Sequence, residues 1–360
     1  MKQRIIGLDL FRIALAFLIF MFHSQMHFGC DYSFLNGFVE VGAIAMTGFF
    51  MLSGYVLYYT YSDHELMSKS SLKTFYVKRA ITIIPLYLFI AIAFTACDFF
   101  FGHAKWDEYF ILFPVEALCL QSTFSSLFGY IHNDGTWFIS CLVICYVIYP
   151  FIQTVTLQLT KKSRLILLFL LVFVILYAPL VQIFFKLQTI YSNPFYRLIE
   201  FTIGVLLAPI SEISDSRCLK ILRTKCSSLI ITVTFVMLIL LARHIGVPAH
   251  YMLFNWIAIP CFCAIILSIA KIPFSRIANN KTILYLSSIS FTFFLCQVLP
   301  LWAISHSVCE MMGTNSNLVK IVVSLSICMI GAILIHECVE RPLSKVLKRK
   351  ILLQSSYEEI

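Results

Sequence analysis

Apolar residues run along this chain in blocks long enough to cross a bilayer. A hydrocarbon core needs roughly 20 apolar residues in helical form. Such stretches lie near residues 6–28, 37–60, 81–101, 137–157, 165–185, 196–211, 228–243, 250–270, 283–305 and 318–338. A further apolar stretch near 108–121 is short and interrupted by Glu108, Pro114 and Glu116. The pattern predicts an all-α polytopic membrane helix bundle of about ten transmembrane helices. No internal repeat, low-complexity tract or glycine-rich phosphate loop interrupts it.

Composition agrees. The chain is 60% hydrophobic and only 12% charged, where soluble domains carry about 25% charge. Mean hydropathy is +0.89. The net charge of +9 would suit a nucleic-acid partner in a soluble protein; here it reads as basic loops on the cytoplasmic side. With ten crossings, 108–121 outside the bilayer and both termini cytoplasmic, most of the 27 Lys and Arg fall inside. Letting 108–121 span would invert every later loop. Residues 102–136 then form an outer-face loop that partly dips back. His103, Asp107, His132, Asn133, Asp134 and Asp31 lie on the outer side, and Trp106 and Trp137 fit an aromatic belt there.

Lys2 and Arg4 before an apolar run resemble a signal peptide. Asp9 and Arg12 break that run and no small-residue cleavage site follows, so a retained first helix is expected. The 13 cysteines are scattered through apolar runs without a Cys-x-x-Cys spacing, and read as small core residues; no metal site is expected. Two units are expected: an integral-membrane domain over 1–346 and a short cytoplasmic tail over 347–360, basic enough at Lys348 and Arg349 to touch anionic lipid.

The first helix carries the most informative pair. Arg12 and His23 are eleven residues apart, which on a helix is about three turns and roughly 16 Å. Both point to nearly the same face. An ionisable group in lipid is costly, so each must face protein or a wet cavity. A snorkelling arginine and a structural histidine are the plainer alternative. Asp9 is spaced to pair with Arg12, His27 lies one turn beyond His23, and Glu200 needs a partner for which Arg197 is the nearest candidate.

Four stretches carry a resemblance. They are Arg12 with His23; Phe49-Phe50-Met51-Leu52-Ser53-Gly54-Tyr55; Arg79-Ala80-Ile81-Thr82-Ile83-Ile84-Pro85-Leu86-Tyr87; and Val339-Glu340-Arg341-Pro342. Trp137-Phe138-Ile139-Ser140, Arg197-Leu198-Ile199-Glu200-Phe201 and Ser288-Ile289-Ser290 with Phe294-Leu295 are weaker echoes. In this order the chain resembles the membrane acyltransferase-3 family, which O-acylates cell-surface glycans among other acceptors. Departures stand at Thr82, where the family often has a second arginine, at Leu142 and Val143, where it often has an acidic pair, and at Gln297, where it often has histidine.

The resemblance implies an acetyl-CoA-dependent O-acyltransferase of the cell (inner or plasma) membrane. Its donor is cytoplasmic acyl-CoA, and its acceptor is a hydroxyl of a surface polysaccharide or of its lipid-linked precursor. His23 is the expected general base or acyl carrier, and Arg12 the expected partner for the donor's thioester end. Lys78 and Arg79 suit the nucleotide phosphates, because a guanidinium offers a fixed fork for phosphate. Ser53 would help polarise the thioester carbonyl, and Glu340 and Arg341 would shape the mouth, with Glu340 pairing to Arg79 or Arg341. Plainer readings stand beside these: Lys78 and Arg79 as positive-inside anchors, Ser53-Gly54 as a small-residue helix contact, and Pro342 as a helix stop. The alternative function is a secondary transporter or glycan-export protein. That class usually shows repeats and broken helices at matching places.

Overall fold

The computed structural model describes residues 2–100, 106–124, 136–185, 190–213, 217–249, 252–275, 277–297, 299–313 and 315–357. His103, His132, Asn133 and Asp134, and the side chains of Trp106, Asp107 and Glu108, lie outside the described residues. Helices account for nearly all of the described regular structure, and no strand occurs among the described residues. They are α1 (Ile6–Phe28), α2 (Ala45–Tyr61), α3 (Lys69–Phe100), α4 (Trp106–Ala117), α5 (Trp137–Gln158), α6 (Lys161–Phe185), α7 (Pro194–Ile210), α8 (Lys225–His244), α9 (Asn255–Ile269), α10 (Lys281–Leu295), α11 (Leu299–Met311), α12 (Asn317–Ile335) and α13 (Arg341–Tyr357).

Seven helical spans are long and apolar enough to cross a membrane: α1, α2 with the turn before it, α3, α5, α6, α8, and α12 running on into α13. The other three expected crossings correspond to shorter helices. α7 has 17 residues, and α9 and α10 have 15 each. At about 1.5 Å per residue these reach roughly 22–25 Å, short of a 30 Å hydrocarbon core. The stretch expected as one helix over 283–305 is two. Pro300 explains the break, because a proline has no N–H to offer the carbonyl of Cys296, four residues earlier.

α4 has 12 residues, too few to span, and the segment after it turns back into the bundle. There Gln121 donates to the Thr136 carbonyl (3.1 Å) and Ser122 to that of Trp137 (2.8 Å). α3 starts at Lys69, ahead of the apolar run at 81, so Lys78 and Arg79 sit within a helix rather than a loop.

Pro342 does not stop the last helix. A π-helical turn over His336–Glu340 joins α12 to α13. Pro342 cannot donate to the Cys338 carbonyl, and the wider turn accommodates the missing bond.

The tightest seam joins α2 to α7. A Cβ on Gly54 would lie 2.0 Å from the Phe201 carbonyl oxygen, and one on Gly204 1.9 Å from that of Met51. The Ser53-Gly54 pair is therefore a helix contact at Gly54, while Ser53 faces elsewhere. Beside this seam lies a fully buried ion pair. Arg197 Nη1 is 2.7 Å from Glu200 Oε2, as the spacing anticipates. Thr47 donates to Glu200 Oε1 (2.8 Å), and Arg197 Nε donates to the Tyr191 carbonyl (2.7 Å). The rings of Phe50, Trp137, Tyr191 and Tyr196 surround the guanidinium. Trp137 is therefore not a belt residue: it is buried, 4.7 Å from the Tyr191 ring centroid. The cysteines among the described residues are free, and many are buried, as expected of core residues.

Candidate active site

A cavity of about 1070 Å³ opens at the end of the bundle that carries the N-terminus of α1. It lies at the upper end of the roughly 300–1,000 Å³ usual for small-molecule sites. Five of the seven residues singled out from the sequence line it: Arg12, Ser53, Lys78, Arg79 and Glu340. Three separate helices and the π turn bring these together, and no spacing along the chain predicts that.

The cavity is electrically uneven. Lys2 is held by Asp63 (3.1 Å), and Arg4 by Asp9 (2.5 Å). Ser287 also donates to Asp9 (2.7 Å). Asp9 is thus fixed by Arg4 and Ser287, and Arg12 stands 3.9 Å away, at the edge of an ion pair. The predicted Asp9–Arg12 contact exists but is the weaker one. Arg79 has no carboxylate partner among the described residues. Its guanidinium lies 5.7 Å from the centre of the Tyr61 ring and 5.9 Å from that of Tyr146. Its Nε is buried with no hydrogen bond among the described residues. Arg12, Lys78 and Arg79 therefore leave uncommitted positive charge facing the cavity.

Away from this mouth the lining turns apolar. Phe49, Phe138 and Phe294 meet one another there, with centroids 6.2, 6.0 and 5.3 Å apart. Leu142 lines the same wall, and Thr82 lies on the mouth side. Two of the positions that depart from the family pattern thus border this cavity.

Glu340 pairs with neither Arg79 nor Arg341. It accepts from Thr292 and lies 2.6 Å from His336 Nδ1. The π turn explains this, since it rotates Glu340 toward α10. Arg341 faces outward, 2.8 Å from Glu337, and does not line the cavity. His336 was missed in the sequence, although its i,i+4 spacing to Glu340 could have flagged it; Thr292, Ser287, Tyr61 and Tyr146 carried no signal there.

His23 does not line the cavity. It lies farther along α1, against Phe22 and His27, whose centroids are 5.4 and 5.7 Å away. The Gln297 amide comes within range of its ring. His27 stacks on Trp302 at 6.2 Å. Arg12 and His23 therefore share a face but not a chamber.

A helical bundle with seven helices long and apolar enough to cross a membrane, around a basic and partly apolar cavity, has the build of an integral-membrane protein. The acyltransferase-domain model of the acyltransferase-3 family matches residues 5–337, and the chain belongs to that family. Family membership implies acyl-transfer activity. No curated protein and no solved structure matches the chain.

Proposed function

We propose that the protein transfers an acyl group, acetyl by default, from cytoplasmic acyl-CoA to a hydroxyl of a cell-surface polysaccharide or its lipid-linked precursor. In this reading ten helical segments cross or enter the membrane, and both termini are cytoplasmic. The observation that carries the proposal is one cavity that gathers Arg12, Ser53, Lys78 and Arg79 from three helices, with Lys78 and Arg79 near the mouth without a carboxylate partner among the described residues and an aromatic wall within. That gradient suits a ligand with phosphates at one end and a narrow thioester arm at the other.

Each residue has a task in this scheme. Arg79 and Lys78 hold phosphate oxygens, Arg79 through its fork and Lys78 as a point charge. Tyr61 and Tyr146 keep the Arg79 fork in place without neutralising it. Arg12 lies deeper and binds the thioester end of the arm. Ser53, also on the wall, donates to the thioester carbonyl. Phe49, Phe138 and Phe294 line the cavity, and in this scheme the aromatic wall opens for the acyl group to reach His23.

At His23 the acceptor oxygen attacks the thioester carbon. A C–O bond forms, the C–S bond breaks, and the imidazole takes the hydroxyl proton and returns it to the departing thiolate. Imidazole suits this role because its ordinary pKa lies near neutrality.

The test is the base-labile acetate of surface polysaccharide in cells carrying the intact gene, a deletion, or His23→Ala at equal protein level. Loss in both altered strains supports the proposal. Unchanged ester in the deletion removes it and directs attention to transport, where label would cross sealed vesicles without acyl-CoA being consumed.

A further inference from the structure

Three buried polar atoms beside the second half of α1 have no hydrogen-bond partner among the described residues: His23 Nδ1, Gln297 Oε1 and Trp302 Nε1. Gln297 and Trp302 are each only 2% exposed. The three belong to one neighbourhood. Ala16, Phe20, His23 and His27 recur at helical spacing and form a stripe on α1. Gln297 lies on that stripe, where its amide nitrogen donates to the Ala16 carbonyl (3.4 Å) and its side chain reaches the His23 ring. Trp302 lies on the same stripe, 5.9 Å from Phe20 and 6.2 Å from His27 between centroids. Gln297 directly follows α10, and Trp302 lies in the first turn of α11, so the break between these helices brings both to His23. Irregular backbone at membrane depth persists where protein buries it or where it lines a wet cavity.

A buried polar atom without a partner costs about 1–3 kcal/mol, and a cluster of them marks a place that something else fills. The set has a definite chemistry. The indole N–H can only donate, the amide oxygen can only accept, and the imidazole nitrogen can do either. An alcohol supplies the complement: its oxygen accepts from Trp302, and its proton goes to Gln297 or His23. An anionic group does not, because Gln297 Oε1 would face it with a lone pair.

We infer that His23, Gln297 and Trp302 form the binding site for the neutral hydroxyl of the acyl acceptor, separate from the acyl-CoA cavity. This rests on the acyl-transfer reading above. It also gives Gln297, a departure from the family pattern, a hydrogen-bonding task in this chain.

The test uses the full chain in lipid nanodiscs. The donor is acetyl-CoA and the acceptor is surface polysaccharide extracted from the deletion strain. Trp302→Phe removes the indole N–H, and Gln297→Leu removes the whole amide, Oε1 together with the Nε2 that donates to Ala16; both keep an apolar side chain in place. Each is expected to raise the KM for the polysaccharide about tenfold, as loss of one hydrogen bond of roughly 1.4 kcal/mol would, and to leave the KM for acetyl-CoA within twofold. Gln297→His, which restores a polar atom, should recover part of the loss. Unchanged polysaccharide KM in both apolar variants overturns the site while leaving acyl transfer intact. A wild-type protein that leaves no acetate on the polysaccharide overturns both. Matching thermal stability of the variants excludes misfolding, and if Trp302→Phe fails to fold, Gln297→Leu decides alone.

Discussion

The α2–α7 seam permits a sharp prediction. In Gly204→Ala the new methyl carbon would lie 1.9 Å from the Met51 carbonyl oxygen and 2.6 Å from its carbon. Ordinary contact begins near 3.4 Å, so the helices must separate by on the order of 1.5 Å there. The obstacle is backbone, so no rotamer change relieves it. Overpacking usually costs about 1–3 kcal/mol, and this site belongs at or above the upper end. The separation also loosens Phe50, Tyr55, Phe201 and Val205 and displaces Ser53 on the cavity wall. Gly331→Ala is the control: its methyl would meet the flexible Leu301 side chain, with Cδ1 at 3.3 Å and Cδ2 at 3.7 Å. Removing a helical glycine there should be neutral, or stabilising by up to about 1 kcal/mol. Thermal unfolding in detergent, followed by dye labelling of the buried thiols of Cys141, Cys145 and Cys328, reads both variants. Equal midpoints for the two would refute the argument.

Other predictions follow from the ion pairs and the cavity. Arg197→Met should destabilise by about 3–5 kcal/mol, because Glu200 is left buried without its counter-charge, with the Thr47 hydroxyl still donating to it. Adding Glu200→Leu to that variant should recover most of the loss, and a double-mutant cycle in the same unfolding assay measures it. Arg79→Gln should raise the KM for acyl-CoA at least tenfold, whereas Arg341→Gln, which alters an exposed pair outside the cavity, should stay within twofold in steady-state kinetics. Arg12→Lys should lose most activity if the planar fork matters; full activity would reduce Arg12 to a point charge. In the loop after α1, the Ser33 backbone N–H and then the Asn36 side chain hold the Asp31 carboxyl below its ordinary value of 3.8. Its contribution is therefore present above that value and is lost as pH falls through the lower folded one. The stability gap between wild type and Asp31→Ala should shrink under acid, and a gap that does not change with pH would contradict the assignment.

The sequence and the structure divide the work unevenly. The long apolar blocks, the helix over residues 6–28, the Arg197–Glu200 pair and the core cysteines were legible because each depends on local spacing or on the cost of burying polarity. The broken ninth stretch was misread because apolar content masked Pro300. Pro342 was read as a possible stop, yet a π turn absorbs it. Trp137 looked like a belt residue by position but serves as a wall around Arg197.

The sequence by itself determined the membrane class, the family, and the placement of Arg12 and His23 on one face of α1. Those follow from composition, motif order and the period of a helix, all of which act within one segment. Only the tertiary structure decided that Arg12, Ser53, Lys78, Arg79 and Glu340 share a cavity while His23 and Arg341 stand outside it. It also decided that Glu340 serves His336 and Thr292, and that Gln297 and Trp302 meet His23. Packing of helices distant in the chain sets these contacts, and the pattern within any one helix leaves open which neighbour it will face.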